Sequence, residues 1–140
     1  MTDWYTRCDY NPEVKQRFHT AARLRLRHLA EYLGFPPQAY DLRSNAAGVA
    51  VSGEITLHHD TVYIQVSQSS MGPENSILIR TCEGRHDYTG GRNHFAPLRL
   101  LDDTPALAAQ VRAVMATKTG SPARAASRTA VPVRRGERSE

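Results

Sequence analysis

Apolar residues recur early in the chain at Val14, Phe18, Ala22, Leu26, Leu29 and Leu33, at spacings of three and four. That period puts them on one stripe of an α-helix. Asn11, Pro12 and Glu13 just ahead of the stripe supply a capping side chain, a first-turn residue with no amide hydrogen to satisfy, and an acid beside the positive end of the helix dipole. Gly34 supplies the stop. Gln16, Thr20, Arg23, Arg27 and Glu31 fall on the opposite, solvated arc, whereas Arg25 falls among Phe18, Leu29 and Tyr32 on the apolar stripe. A charge there needs a partner or a route to water, and the expectation is that its aliphatic stem snorkels outward.

After Gly34 the period changes. The stretch FPPQAYDLRSNAAG reads as a connection with a short extended piece at Tyr40 to Arg43. Val49, Val51, Ile55 and Leu57 then alternate with Ala50, Ser52, Glu54 and Thr56, which describes a strand with one apolar face, and Gly53 marks a bulge in it. His58, His59 and Asp60 form a turn, after which Val62, Ile64 and Val66 resume the alternation as the second arm of a hairpin. Ile77, Leu78 and Ile79 make a third short strand ending near Cys82, and HFAPLRLL a fourth that Pro97 confines to an edge or breaks. Asp102 and Asp103 precede Thr104 and Pro105 as a cap followed by proline, and Leu107, Val111, Val114 and Met115 give a short second helix. Short loops favour antiparallel pairing, and one polar face argues against helices on both sides. The pattern therefore predicts a two-layer α+β sandwich: an antiparallel sheet of three or four strands, with a long N-terminal and a short C-terminal helix on one face.

Length and composition support one domain. The chain has 140 residues, 40% hydrophobic and 23% charged, and no apolar run approaches the roughly 20 residues of a membrane-spanning helix. The start carries Asp3, Asp9 and Glu13 rather than a basic then apolar leader, which predicts a cytoplasmic protein, and Cys8 and Cys82 are expected as thiols. Dividing the net charge of +4 along the chain is informative: residues 1–117 hold twelve basic and twelve acidic side chains, and residues 118–140 hold six basic and two acidic. The expectation is a single α+β domain over 1–117 and a disordered basic tail over 118–140, rich in Ser, Ala, Pro and Arg. Through that tail, nucleic acid is a conceivable partner, but the balanced body lacks the basic patch of a dedicated nucleic-acid binder.

Chemistry concentrates in TCEGRHDYTGGRNHFAP, residues 81–97. A structural zinc site needs four tetrahedral ligands, commonly in close pairs, and Cys82, His86 and His94 match no common spacing, so neither metal nor cofactor is expected. One reading is catalytic, a small hydrolase or transferase using Cys82, His86, Asp87 and His94, and another is general acid–base or nuclease-like chemistry drawing on His86, Asp87, Glu83, His58 and His59. The reading the residues favour is recognition. Tyr88, Thr89, Gly90, Gly91, Arg92 and Asn93 have the composition of a tight turn whose outward amides could form an anion nest, and Arg85, Arg92 and His94 would flank it with donors suited to carboxylate or phosphate, so the expected binding set is Arg85, His86, Tyr88, Gly90, Gly91, Arg92, Asn93 and His94. The expected function is a small binding or regulatory module, of accessory or inhibitor type, that contacts an anionic group on a nucleic acid, protein or small ligand.

Overall fold

The computed structural model describes residues 4–8, 11–46, 52–87 and 90–119. The first helix, α1 (Pro12–Tyr32), begins where the sequence places it: the Asn11 carboxamide accepts the amides of Glu13 at 3.1 Å and Val14 at 3.2 Å. It ends at Leu33, with Gly34 at φ +81°. Phe18, Ala22, Leu26, Leu29 and Ala30 are buried along its inner stripe.

Five strands follow: β1 (Tyr40–Asn45), β2 (Glu54–His59), β3 (Val62–Val66), β4 (Ile77–Thr81) and β5 (His94–Ala96). They pair in chain order as an antiparallel meander. The strand count corrects the expected three or four. The extra strand is β1, which the sequence presents only as a short extended piece; an edge strand needs few apolar residues, and Leu42 is the aliphatic one here. The strand expected from Val49 starts at Glu54 instead, after Gly53 at φ +70°, and residues 47–51 lie outside the described residues. Pro97 breaks the last strand at Ala96, and residues 98–102 continue as a 3-10 turn that buries Leu98, Leu100 and Leu101. The second helix, α2 (Thr104–Thr119), has Asp103 as its cap, which accepts the Ala106 amide at 3.2 Å, and runs two residues past the expected domain boundary. The rest of the expected tail, residues 120–140, lies outside the described residues.

The register explains the two faces. Leu42, Leu57, Ile64 and Ile79 stand opposite one another in one row across the sheet, and Ile55, Val66, Ile77 and Ala96 in the next. Both rows pack under α1 and α2, with Leu107, Ala108 and Val111 of α2 buried. The other face carries Asp41, His58, Tyr63 and Arg80 in one row, and Arg43, Thr56, Gln65, Leu78 and Phe95 in the next. No helix of the described residues is long and apolar enough to cross a membrane.

Two polar connections tie the layers. Arg25 does not snorkel: its Nε donates to Asp102 at 2.9 Å, while the other Asp102 oxygen accepts the Trp4 indole N–H at 2.7 Å. Buried Gln68 holds the N-terminal segment, its amide group donating to the Thr6 carbonyl at 2.7 Å and accepting from the Cys8 amide at 3.0 Å. Trp4 and Cys8 thereby join the core, and both cysteines are free thiols.

Candidate functional site

The chemistry-bearing stretch closes over one end of the uncovered sheet face. His58 points to that face, yet is only 1% exposed. Its ring meets Tyr63 edge-on at 5.0 Å, and the backbone of Gly84 in the following loop acts on it electrostatically. Burial, the largest influence, pushes the His58 imidazole below its ordinary 6.5. The Arg43 charge acts in the same direction, and the Gly84 backbone, Asp41 and Asp87 oppose it. Tyr63 in turn carries the Arg80 guanidinium 4.5 Å above its ring, and its hydroxyl donates to Gln65 at 2.9 Å.

The neighbouring histidine faces the other way. His59 stacks on Phe35 with ring centroids 3.7 Å apart, and its Nδ1 accepts the Thr61 amide at 3.1 Å. That bond leaves the proton of the neutral ring on Nε2. Burial, foremost, lowers its pKa as well.

The loop from Cys82 to Asn93 is tied by its own acids and amides. Asp87 accepts the Glu83 amide at 2.9 Å and the Gly90 amide at 3.0 Å, one on each carboxylate oxygen. The Gly91 amide donates to the Thr81 carbonyl at 2.8 Å. Gly90 has φ +51°, and a side-chain carbon on either glycine would run into Thr81. The Gly90 and Gly91 amides, on which the expected anion nest draws, are thus already spent on Asp87 and Thr81. Arg85 bridges Asp60 at 3.2 Å and Asp41 at 3.6 Å, and Asp41 also takes Arg43 at 3.0 Å. These partly exposed ion pairs add little stability but fix where the loop lies.

The nominated residues therefore fall in three places. Arg85 ties the loop to Asp60 and Asp41, Gly90 and Gly91 are held by Asp87 and Thr81, and His86 is exposed beside them. Arg92 projects into solvent and makes no hydrogen bond or ion pair with the described residues. Asn93 and His94 lie at a separate hollow beside β5, and Tyr88 lies outside the described residues. The catalytic set does not gather either. Cys82 is 2% exposed with its thiol donating to the His59 carbonyl at 3.2 Å, while His94 stands across from Ile79 on the helix-covered side. Among the described residues no group of three or more His, Cys, Asp or Glu is placed to hold a metal ion.

Sequence reasoning passed over Tyr63, Arg80, Asp41 and Asp60, which shape this end of the sheet. The available signal was the parity of the strands: Tyr63 and Arg80 occupy the positions alternating with Ile64 and Ile79. No protein-family model matches the chain, and it matches no curated protein and no solved structure.

Proposed function

We propose that the chain is a small binding or regulatory module that engages an anionic group on a partner through the side chains at the end of its 82–93 loop, with Arg92 as the central donor. One observation carries this reading. The loop spends its Glu83, Gly90 and Gly91 amides on Asp87 and Thr81, yet leaves the Arg92 guanidinium exposed and without a partner among the described residues. A planar guanidinium on a tied loop loses less freedom on binding than one on a loose segment, and its fork of donors suits carboxylate or phosphate. Arg80, stacked on Tyr63 and within 3.5 Å of the Asn93 carboxamide, adds positive charge beside it.

The test compares wild type with Arg92→Ala against inorganic phosphate, a single-stranded oligonucleotide and acidic peptides. A hydrogen bond to a charged group contributes about 1.5–3 kcal/mol, so the variant should lose roughly ten- to hundredfold in affinity for whichever probe binds, with an unchanged melting temperature. Equal binding profiles for the two proteins would defeat the proposal.

A further inference from the structure

On the sheet face away from the helices, the row that holds His58 and Tyr63 is buried, and the row beside it is open. Arg43, Thr56, Gln65, Leu78 and Phe95 make up that open row, which crosses all five strands and spans about 19 Å at about 4.8 Å per strand. Arg43 and Phe95 at its two ends are exposed, and the three residues between them are partly exposed. Strand alternation turns Phe95 away from the core, because His94 and Ala96 on either side of it stand opposite Ile79 and Ile77 on the helix-covered face. A lone exposed ring calls for no explanation; the polar groups around Phe95, which is 39% exposed, set it apart.

Gln65, two strands away in the same row, has its carboxamide oxygen fixed by the Tyr63 hydroxyl at 2.9 Å. Asn93, two residues before Phe95, has its carboxamide oxygen turned to the Arg80 guanidinium at 3.5 Å. Both amide nitrogens therefore keep their N–H donors unspent among the described residues. Arg80 is itself held, with its guanidinium 4.5 Å above the Tyr63 ring. An exposed ring, two oriented amides and a positioned guanidinium are what single-stranded nucleic acid requires: a face on which to stack a base, donors for the acceptors on its edge, and a cation for phosphate. A duplex keeps its bases stacked inside and out of reach of such a ring. An added peptide strand would instead pair with main-chain groups at a sheet edge, whereas this face presents side chains.

The charge nearby is compatible with a polyanion. Asp41 is engaged by Arg43 and Arg85, and Glu54 stands in a further row opposite Asn45, three strands from Phe95. Stacking and edge contacts are uncharged, so the balanced body is no obstacle, and the sequence after Thr119 brings five Arg against two Glu to the phosphates. We propose that the row from Arg43 to Phe95, with Asn93 and Arg80 at its β5 end, is a platform for single-stranded nucleic acid on which a base stacks against Phe95 and the Gln65 and Asn93 carboxamides meet its edge. Arg92 is not part of this platform, so the two sites fail separately.

Fluorescence anisotropy with a labelled single strand of about twelve nucleotides and the matching duplex, over a range of salt, compares the full-length chain with Phe95→Ala, Phe95→Tyr, Phe95→Leu and Arg92→Ala. The single strand should bind more tightly than the duplex. Phe95→Ala should lose roughly five- to hundredfold in affinity, the range for one base on an aromatic ring, at an unchanged melting temperature, and Phe95→Tyr should retain it. Because the stack is uncharged, the slope of log affinity against log salt should be equal in wild type and Phe95→Ala, and shallower in a chain ending at Thr119. Undiminished binding by Phe95→Ala, a preference for duplex, or no binding of the single strand overturns the platform. Should Phe95→Ala melt lower, Phe95→Tyr and Phe95→Leu decide, since both keep a large apolar side chain: tighter binding by the tyrosine variant supports the stack, and equal binding overturns it. Loss in Arg92→Ala but not in Phe95→Ala keeps the anion site proposed above and overturns the platform, and the opposite result keeps the platform and defeats the Arg92 reading. A concentration-dependent dimer that Phe95→Ala abolishes would show that a second copy covers the row, and would overturn the nucleic-acid assignment.

Discussion

His58 shows how a single position couples the sheet to its loop. It lies in a cross-strand row between Asp41 and Tyr63, is closed over by Gly84, and is surrounded by Arg43 and Asp87 as charged neighbours. Because burial lowers its pKa, the folded protein resists protonating it, whereas the unfolded chain takes up a proton as the pH drops below the ordinary 6.5. The stabilisation from a neutral, buried His58 is therefore complete above that value and is lost progressively as pH falls through 6.5 toward the folded-state pKa. His59, lowered by the same cause, has the same sign. Thermal melts at about pH 7.5 and about pH 5 should show a loss of stability in acid that is smaller in His58→Gln, which keeps a polar group but does not titrate. An identical loss in variant and wild type would mean that His58 is not the source. Residue identity alone could not expose this. His58 and His59 read as turn residues, and only the register separates them onto opposite faces, one beside Tyr63 and the other beside Phe35.

At the scale of elements, legibility followed how much of each signal is local. The first helix is written in a cap, a proline and a three-to-four period within twenty-odd residues, and α1 runs as those signals say. Strand β1 was under-read because its pairing with β2 is supplied by tertiary context rather than by its own alternation. The N-terminal segment was missed for a related reason: Trp4 and Cys8 have no neighbouring periodicity, and what anchors them is Gln68, some sixty residues away. The long-range partner of Arg25 was equally invisible, although its awkward place on the apolar stripe did mark it as a residue needing an explanation. Asp102 joins three elements at once, receiving Trp4 from the N-terminal segment and Arg25 from α1 at the turn that leads into α2. Asp102→Ala strands an indole N–H and a half-buried guanidinium together, so an unfolding free energy lower by about 1–3 kcal/mol is expected. Denaturant titration reads it directly. A change below about 0.5 kcal/mol, the range for an ordinary surface substitution, would show that these contacts are replaced by water without cost.

Considered whole, the molecule separates its charge as well as its layers. The first 117 residues are balanced at twelve basic and twelve acidic side chains, and the excess is carried by the last 23, with six against two. Within the described residues the core is built from Trp4 and Cys8, α1, the five strands, the 98–102 turn and α2 up to Met115. The sequence beyond Thr119, rich in Ser, Ala, Pro and Arg, shows no apolar period. Because α2 runs to Thr119, the cut that tests this belongs there rather than at residue 118. A chain ending at Thr119 should melt within about 2 °C of the full-length protein, since a segment of that composition has little apolar surface to bury and its removal changes the folding free energy little. Its net charge falls, because the removed 120–140 segment carries five Arg against two Glu. Any binding of the full-length chain to a single-stranded oligonucleotide should then split into two parts. The part lost with the tail should be insensitive to base sequence and steeply weakened by salt, since it arises from counterion release, and the part retained should depend on Arg92. A truncated chain that melts many degrees lower would place residues of the 120–140 segment in the packed structure, and an oligonucleotide affinity unchanged by the truncation would remove the tail from any role in electrostatic binding.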